Sequence, residues 1–209
     1  MRIGIVGAGM IGRTVAKLWV DAGHEVRLAS RHPADLQPLV KALGIRASAG
    51  TPEEAAAFGD VVMLTVPLAA IPDLAPTLAP LLTGKVVLDT CNAYEMRDRA
   101  AAREAKQHPR GTAAWAAAMF PGSRWVKAFN SVYYKVLERE PHREGDRVGI
   151  PLASDDPAAL DTAEMLVRDA GFDPVIVGLL ARGKEFEPDT PTYNTGMSGR
   201  ELRSIFKPA

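Results

Sequence analysis

The chain alternates short apolar runs with longer stretches whose apolar positions recur every three or four residues, the pattern of a parallel sheet covered by helices on both faces. Residues 2–6 (RIGIV) open as a strand. Residues 11–22 follow as a helix with Ile11, Val15, Leu18 and Trp19 on one face, stopped by Gly23, and residues 25–29 (EVRLA) give the next strand, so that the three form a βαβ unit. Residues 35–43 predict a helix closed by Gly44, and residues 60–66 (DVVMLTV) a buried strand. A helix over 68–82 should be broken into separate turns by Pro72, Pro76 and Pro80. Residues 85–89 (KVVLD) and 125–129 (WVKAF) read as the fourth and fifth strands, on either side of a mainly helical section over 95–119.

From about residue 130 the alternation loosens. The charged stretch 137–147 (LEREPHREGDR) shows no apolar face and predicts an exposed excursion. A strand over 147–153, a helix over 156–170 capped by Gly171 and a strand over 174–177 make a second βαβ-like unit. The tail, 178–209, holds one short helix near 198–206 and is expected to wrap across a partner surface. The fold class is therefore α/β: a doubly wound, mostly parallel sheet in a domain over 1–130, with a small C-terminal α/β extension over 131–209 for substrate binding or dimerisation.

Composition narrows the partners. Lys plus Arg equals Asp plus Glu at 25 each, which leaves no global field to gather the chain onto nucleic acid or an acidic membrane surface. The single Cys91 rules out an internal disulfide framework, no Cys/His spacing suits a metal, and a reducing, cytoplasmic setting is the simplest reading. Gly7 and Gly9 interrupt the apolar start early, and no run approaches a membrane span, so a soluble, unprocessed chain is expected.

The chemistry is concentrated at strand ends. Gly7-Ala8-Gly9-Met10-Ile11-Gly12 sits directly after a strand and before an amphipathic helix, the context that makes this glycine spacing a dinucleotide fingerprint of the Rossmann type. The pyrophosphate would rest on the helix N-terminus, where unpaired N–H groups and the helix dipole favour negative charge. The second strand ends in Ser30-Arg31-His32, with no carboxylate before Asp35, so a guanidinium fork and a hydroxyl stand where a 2′-phosphate would lie, and NADP(H) is the expected cofactor. His32 either assists when protonated or is a solvated loop residue. Ligands bind outside the carboxyl ends of such strands, which singles out Thr65, Val66 and Pro67; Thr90, Cys91 and Asn92; and Asn130 with Ser131. Asn92 and Asn130 either anchor the nicotinamide ribose or carboxamide or serve as turn and cap residues. Cys91 has no sequence neighbour to activate it and reads as a packed thiol.

The segments IGIVGAGMIGRTVAKLWVDAGHEV, Ser30-Arg31, VVMLTVP, VVLDTCN and KAFNSV together resemble the family of coenzyme F420-dependent NADP oxidoreductases and the related cytosolic domain of membrane ferric reductases. The resemblance implies a Rossmann domain with a small C-terminal part and NADP(H) held at Gly7 to Gly12, Ser30 and Arg31. It further implies a homodimer and direct hydride transfer to a small-molecule acceptor, a deazaflavin or flavin stacked on the nicotinamide. Such transfer requires no catalytic acid or nucleophile, and none is assigned. Tyr133-Tyr134-Lys135 is adjacent rather than spaced as a catalytic pair and reads as helix or loop surface. Tyr193 and Asn194 either close over a ring or belong to a tail docked on its own domain or a dimer mate. Two other readings compete: a catalytically silent NADP(H) sensor, and a reductase of imine or β-hydroxyacid type, whose long all-helical domain the mixed α/β remainder of this chain does not match.

Overall fold

The computed structural model describes residues 1–207. The expected βαβ unit forms from β1 (Arg2–Val6), α1 (Met10–Asp21) and β2 (Glu25–Ala29), and a tight helical turn over Pro33–Leu36 leads into α2 (Gln37–Leu43). Then come β3 (Ala47–Gly50), α3 (Pro52–Phe58), β4 (Val61–Leu64), α4 (Ile71–Leu82) and β5 (Val86–Asp89). They are followed by α5 (Glu95–Gln107), α6 (Thr112–Ala117), β6 (Arg124–Lys127) and α7 (Tyr134–Arg139). The described chain finishes with β7 (Gly149–Ser154), α8 (Pro157–Asp169), β8 (Asp173–Gly178), a tight helical stretch over Leu180–Phe186 and α9 (Gly199–Ile205).

All eight strands join one sheet in the order β3-β2-β1-β4-β5-β6-β7-β8, parallel throughout except between β6 and β7. The chain winds outward from β1 to β3, returns to β4 and winds the other way. Loops leaving β1 and β4 therefore diverge and open a crevice at the carboxyl ends of the strands. This is the doubly wound Rossmann-type arrangement that the alternation predicts, and β7 and β8 extend the same sheet.

Each face carries its own core. On one side α1 buries Val15, Ala16, Trp19 and Val20 against the sheet and α8. The Trp19 indole donates to the Leu166 carbonyl at 2.9 Å and meets the Phe129 ring edge-on at 6.0 Å, so a single side chain ties α1 to the ends of β6 and α8. On the other side Phe120 stacks on Trp125 at 5.2 Å beneath α4 and α6. A third cluster, Phe186, Leu202 and Phe206 on Ala153, Val175 and Val177, seats these parts of the tail against the end of the sheet.

Two expectations are corrected, and two elements were not anticipated. The helix over 71–82 is continuous despite Pro76 and Pro80. Pro72 sits in the first turn, where its missing N–H is no loss, and Pro76 and Pro80 follow it at four-residue spacing on one exposed stripe, while Ile71, Ala75, Leu78 and Leu82 anchor the opposite face. The stretch 137–147 is not wholly an excursion, because Leu137 on α7 is fully buried in the core under α1. β3 and α3 had no expectation at all. β3 is a four-residue edge strand of small residues (ASAG), but α3 carried a legible signal: Thr51 and Glu54 form a capping box with Pro52 in the first turn.

Trp19→Ala removes both the buried ring and its hydrogen bond. It is expected to cost about 3–5 kcal/mol in urea unfolding; a loss below about 1 kcal/mol would show that α1 is held elsewhere.

Candidate functional site

The glycine turn builds an outer groove of about 770 Å³. Gly7 turns the chain off β1 at φ +110°, a conformation that favours glycine, and a Cβ on Gly12 would overlap the Gly7 carbonyl oxygen, so α1 can sit against the turn only with glycine there. Gly9 precedes the first turn of α1, which holds no acidic residue, and a Cβ there would meet nothing within 4 Å. That open space above a helix N-terminus is a cradle for an anion. The groove continues past Ala8 to Ser30 and Arg31 at the end of β2. Arg31 is exposed and hydrogen-bonds none of the described residues, while Ser30 Oγ accepts the His32 backbone N–H at 3.1 Å. His32 is exposed and stands outside the groove lining. Arg13, which sequence reasoning missed, also lines the groove and donates to the Ala8 carbonyl at 3.2 Å. Asp35 and Asp73 reach the same space, so its charge is mixed.

An inner cleft of about 410 Å³ shares Gly9, Val66 and Pro67 with the outer groove, and the two run together. Met10 and Ile11 line it on the α1 side, Thr65, Val66 and Pro67 where the chain leaves β4, Cys91 and Asn92 after β5, and Asn130 after β6. The strand-end residues picked from sequence thus converge on one space, except Ser131, which is buried outside the lining. Asn92 and Asn130 face each other: Asn92 Nδ2 donates to the Asn130 carbonyl at 2.8 Å, and Asn130 Nδ2 donates to Asn92 Oδ1 at 3.1 Å and to the Phe186 carbonyl at 3.0 Å. Both amides are thereby fixed in orientation. Asn130 Oδ1 is buried and accepts from no group among the described residues. The preceding residue, Phe129, is fully buried at φ +58°, and backbone strain of this kind gathers at binding sites.

Behind the cleft floor lies an ion pair that sequence reasoning did not find. Lys127 Nζ and Asp89 Oδ2, paired in register across β6 and β5, are 3.1 Å apart with both side chains fully buried. Lys127 also donates to the Cys91 carbonyl, and Asp89 Oδ1 accepts the Cys91 N–H at 2.8 Å, so both backbone groups of Cys91 are clamped. Burial alone would lower the Lys127 ammonium, but the carboxylates of Asp89 and Glu187 outweigh it and hold the pKa above its ordinary value. Glu187 accepts from Thr112 Oγ1, which joins the tail to α6. Burial, with Asp89 close by, pushes the Cys91 thiol far up, as befits a packed side chain.

All four tyrosines of the chain line the inner cleft: Tyr94, Tyr133, Tyr134 and Tyr193. Tyr133 and Tyr134, read from sequence as surface, are cleft wall, with their rings 4.8 Å apart. Tyr193 closes over the cleft from the tail, held by the Asn194 N–H to the Ser131 carbonyl at 2.8 Å. Arg97 lies over the Tyr94 ring at 4.9 Å and donates to the Asn92 carbonyl at 3.0 Å. The missed signal was positional, since every tyrosine falls in a connecting segment or at a helix start rather than in an apolar strand.

Residues 2–93 match a family model described as NADP oxidoreductase coenzyme F420-dependent. Metalloreductase STEAP3 of Rattus norvegicus is 31% identical over 186 residues, covering 89% of this chain and 36% of that protein. The chain spans 35% to 40% of the length of the curated relatives it matches. The crystal structure of hypothetical protein SMa0349 from Sinorhizobium meliloti aligns with a TM-score of 0.82 at 27% identity over 95% of both chains. That of a candidate F420-dependent NADP-reductase from Arthrobacter sp. FB24 aligns with a TM-score of 0.72 at 22% identity over 88% of this chain and 87% of the other. The family resemblance and the Rossmann-type fold read from the sequence are borne out.

Lys127→Met leaves Asp89 buried without its cation and is expected to cost about 3–5 kcal/mol in urea unfolding. Adding Asp89→Leu should recover most of that loss; strictly additive losses would show that the two charges do not act as a pair.

Proposed function

We propose, on the premise that residues 2–93 carry the coenzyme F420-dependent NADP oxidoreductase pattern, that this chain binds NADP(H) along the joined groove and cleft and passes hydride between it and a flat acceptor of flavin or deazaflavin type. The observation that carries the reading is the continuity of one channel, from a free guanidinium at the end of β2, over the glycine cradle, to a wall of four tyrosines.

The residues present fit such a dinucleotide. Gly9 and the start of α1 receive the pyrophosphate, and Ser30 and Arg31 receive the 2′-phosphate. The unpartnered Asn130 Oδ1 suits a carboxamide N–H. When bound, the cofactor supplies the hydride. The chain's own work is to orient the reacting rings and keep water away, and the tyrosine wall does both: ring stacking contributes about 0.5–1.5 kcal/mol per pair beyond the area buried. The lone, buried thiol fits a reducing compartment such as the cytoplasm, and no helix among the described residues is long and apolar enough to cross a membrane.

A charge-assisted contact of about 1.5–3 kcal/mol corresponds to roughly ten- to a hundred-fold in affinity. NADPH should therefore bind at least about ten-fold more tightly than NADH, and Arg31→Ala should remove most of that ratio. Equal affinities in the unaltered protein would contradict the assignment. Gly9→Val fills the cradle without touching the core. It should weaken NADPH binding about ten-fold or more while urea unfolding loses no more than about 1 kcal/mol, the usual size of a changed N-cap; unchanged binding would place the dinucleotide elsewhere. Oxidation of NADPH, followed by its absorbance with riboflavin, FMN, FAD, deazaflavin, quinones and ferric chelates, tests the reaction itself. Saturable binding with every acceptor inert would replace the enzyme by an NADP(H) sensor.

A further inference from the structure

Two of the four cleft tyrosines meet hydroxyl to hydroxyl. Tyr94, at the start of α5, and Tyr193, on the tail 99 residues later, share a hydrogen bond, and Tyr193 also accepts from Asn92 Nδ2 at 3.4 Å. Tyr193 is half-buried, whereas Tyr94 is 37% exposed. The pair therefore forms a chain of two hydroxyls from the inner cleft to solvent.

Other sources of a proton are scarce there. Among the described residues lining the cleft no side chain is a carboxyl, an imidazole or an ammonium group. Thr90 Oγ1 donates to the Leu64 carbonyl at 3.1 Å, and the Cys91 thiol points at the same oxygen at 3.7 Å and is held in its protonated form by burial. A threonine hydroxyl is in any case far too weak an acid. Phenols remain, and of these the Tyr94–Tyr193 pair has groups placed to offset part of what burial costs the charge left when a proton departs: Asn92 Nδ2, which donates to the Tyr193 oxygen, and the Arg97 guanidinium over the Tyr94 ring.

We infer that Tyr193 is the proton donor to the reduced acceptor and that Tyr94 reloads it from solvent. The inference rests on the hydride-transfer reading above. In the balanced reaction the acceptor gains a hydride with its electron pair and, in the same step, one proton on an electron-rich nitrogen or oxygen. The Tyr193 O–H bond breaks to supply that proton, Tyr94 returns one to the Tyr193 oxygen, and water returns one to Tyr94. One proton from solvent is consumed for each NADPH oxidised by a two-electron acceptor. Burial and the Tyr94 contact raise the Tyr193 pKa against the smaller opposing effects of Asn194 and Arg97, so the donor is loaded throughout the neutral range.

Tyr193→Phe and Tyr94→Phe test the assignment with three readouts. Because every tyrosine of the chain lines this cleft, tyrosinate absorbance during alkaline titration reports on the cleft alone. In the unaltered protein Tyr193, identified by its loss in Tyr193→Phe, should ionise above the ordinary phenol range, and Tyr94→Phe should bring it down. NADPH affinity, read by fluorescence, should stay within about two-fold in both variants, since neither hydroxyl is assigned to the cofactor. Single-turnover oxidation of NADPH by riboflavin should slow about a hundred-fold or more in Tyr193→Phe, the usual weight of a general acid. The slowing should be about ten-fold in Tyr94→Phe, and the solvent deuterium isotope effect should disappear in Tyr193→Phe. A Tyr193→Phe protein that keeps the parental rate and isotope effect overturns the proton donor while leaving hydride transfer intact. Four tyrosines ionising independently in the ordinary range would overturn it too. If the parent binds NADPH yet reduces none of the acceptors named above, the hydride-transfer reading falls, and this inference with it.

Discussion

The buried ion pair between Lys127 and Asp89 is the constraint on which the inner cleft depends. Two charges taken out of water are costly, and they are tolerated only when each finds further partners. Here those partners are the N–H and C=O of Cys91 and, on the tail side, the carboxylate of Glu187. With Cys91 clamped at both backbone groups, the next residue, Asn92, has a fixed starting point. Its amide can then pair with Asn130, whose own amide reaches the Phe186 carbonyl. Strand ends, cleft floor and tail are joined in this way through one continuous set of polar contacts.

The outer groove obeys a different logic. Its shape comes from what is missing: no side chain at Gly9, none at Gly12 to hold α1 off the turn, and no partner for Arg31 among the described residues. One half of the channel is thus a backbone cradle that any dinucleotide could use, with a cation at its far end to choose among them. The other half is a side-chain pocket whose walls come from segments far apart in sequence, namely the loop after β5, the start of α7 and the tail. A fold of this kind can keep the first half and vary the second, which makes the tyrosine wall the place where an acceptor would be selected.

What could be read beforehand follows the same division. The fingerprint, the strands flanking it and the Ser30-Arg31 pair are local in sequence, because a strand, a turn and a helix N-terminus are dictated by neighbours. Asn92 and Asn130 could be picked out because ligands gather at strand ends, yet their reciprocal pairing could not, since it depends on two strands lying side by side. Lys127 looked like an ordinary member of WVKAF: nothing within that run announces that the lysine points inward to an aspartate on the next strand. The tyrosines were hidden for a similar reason, as Tyr94 and Tyr193 meet only because Phe186, Leu202 and Phe206 fasten the tail to the sheet. The unbroken α4 shows the converse error, in which a sound local rule about proline was outweighed by the burial of four residues on the helix's other face.

The central claim is that the glycine cradle and the tyrosine wall are two ends of one binding site. A crystal structure of the chain with NADP+ bound tests it most directly. The account places the 2′-phosphate within hydrogen-bond reach of Arg31 and Ser30, and the nicotinamide inside the cleft between Asn130 and Tyr193. A cofactor whose nicotinamide lies outside the tyrosine wall, or whose adenosine end rests away from the end of β2, would contradict it.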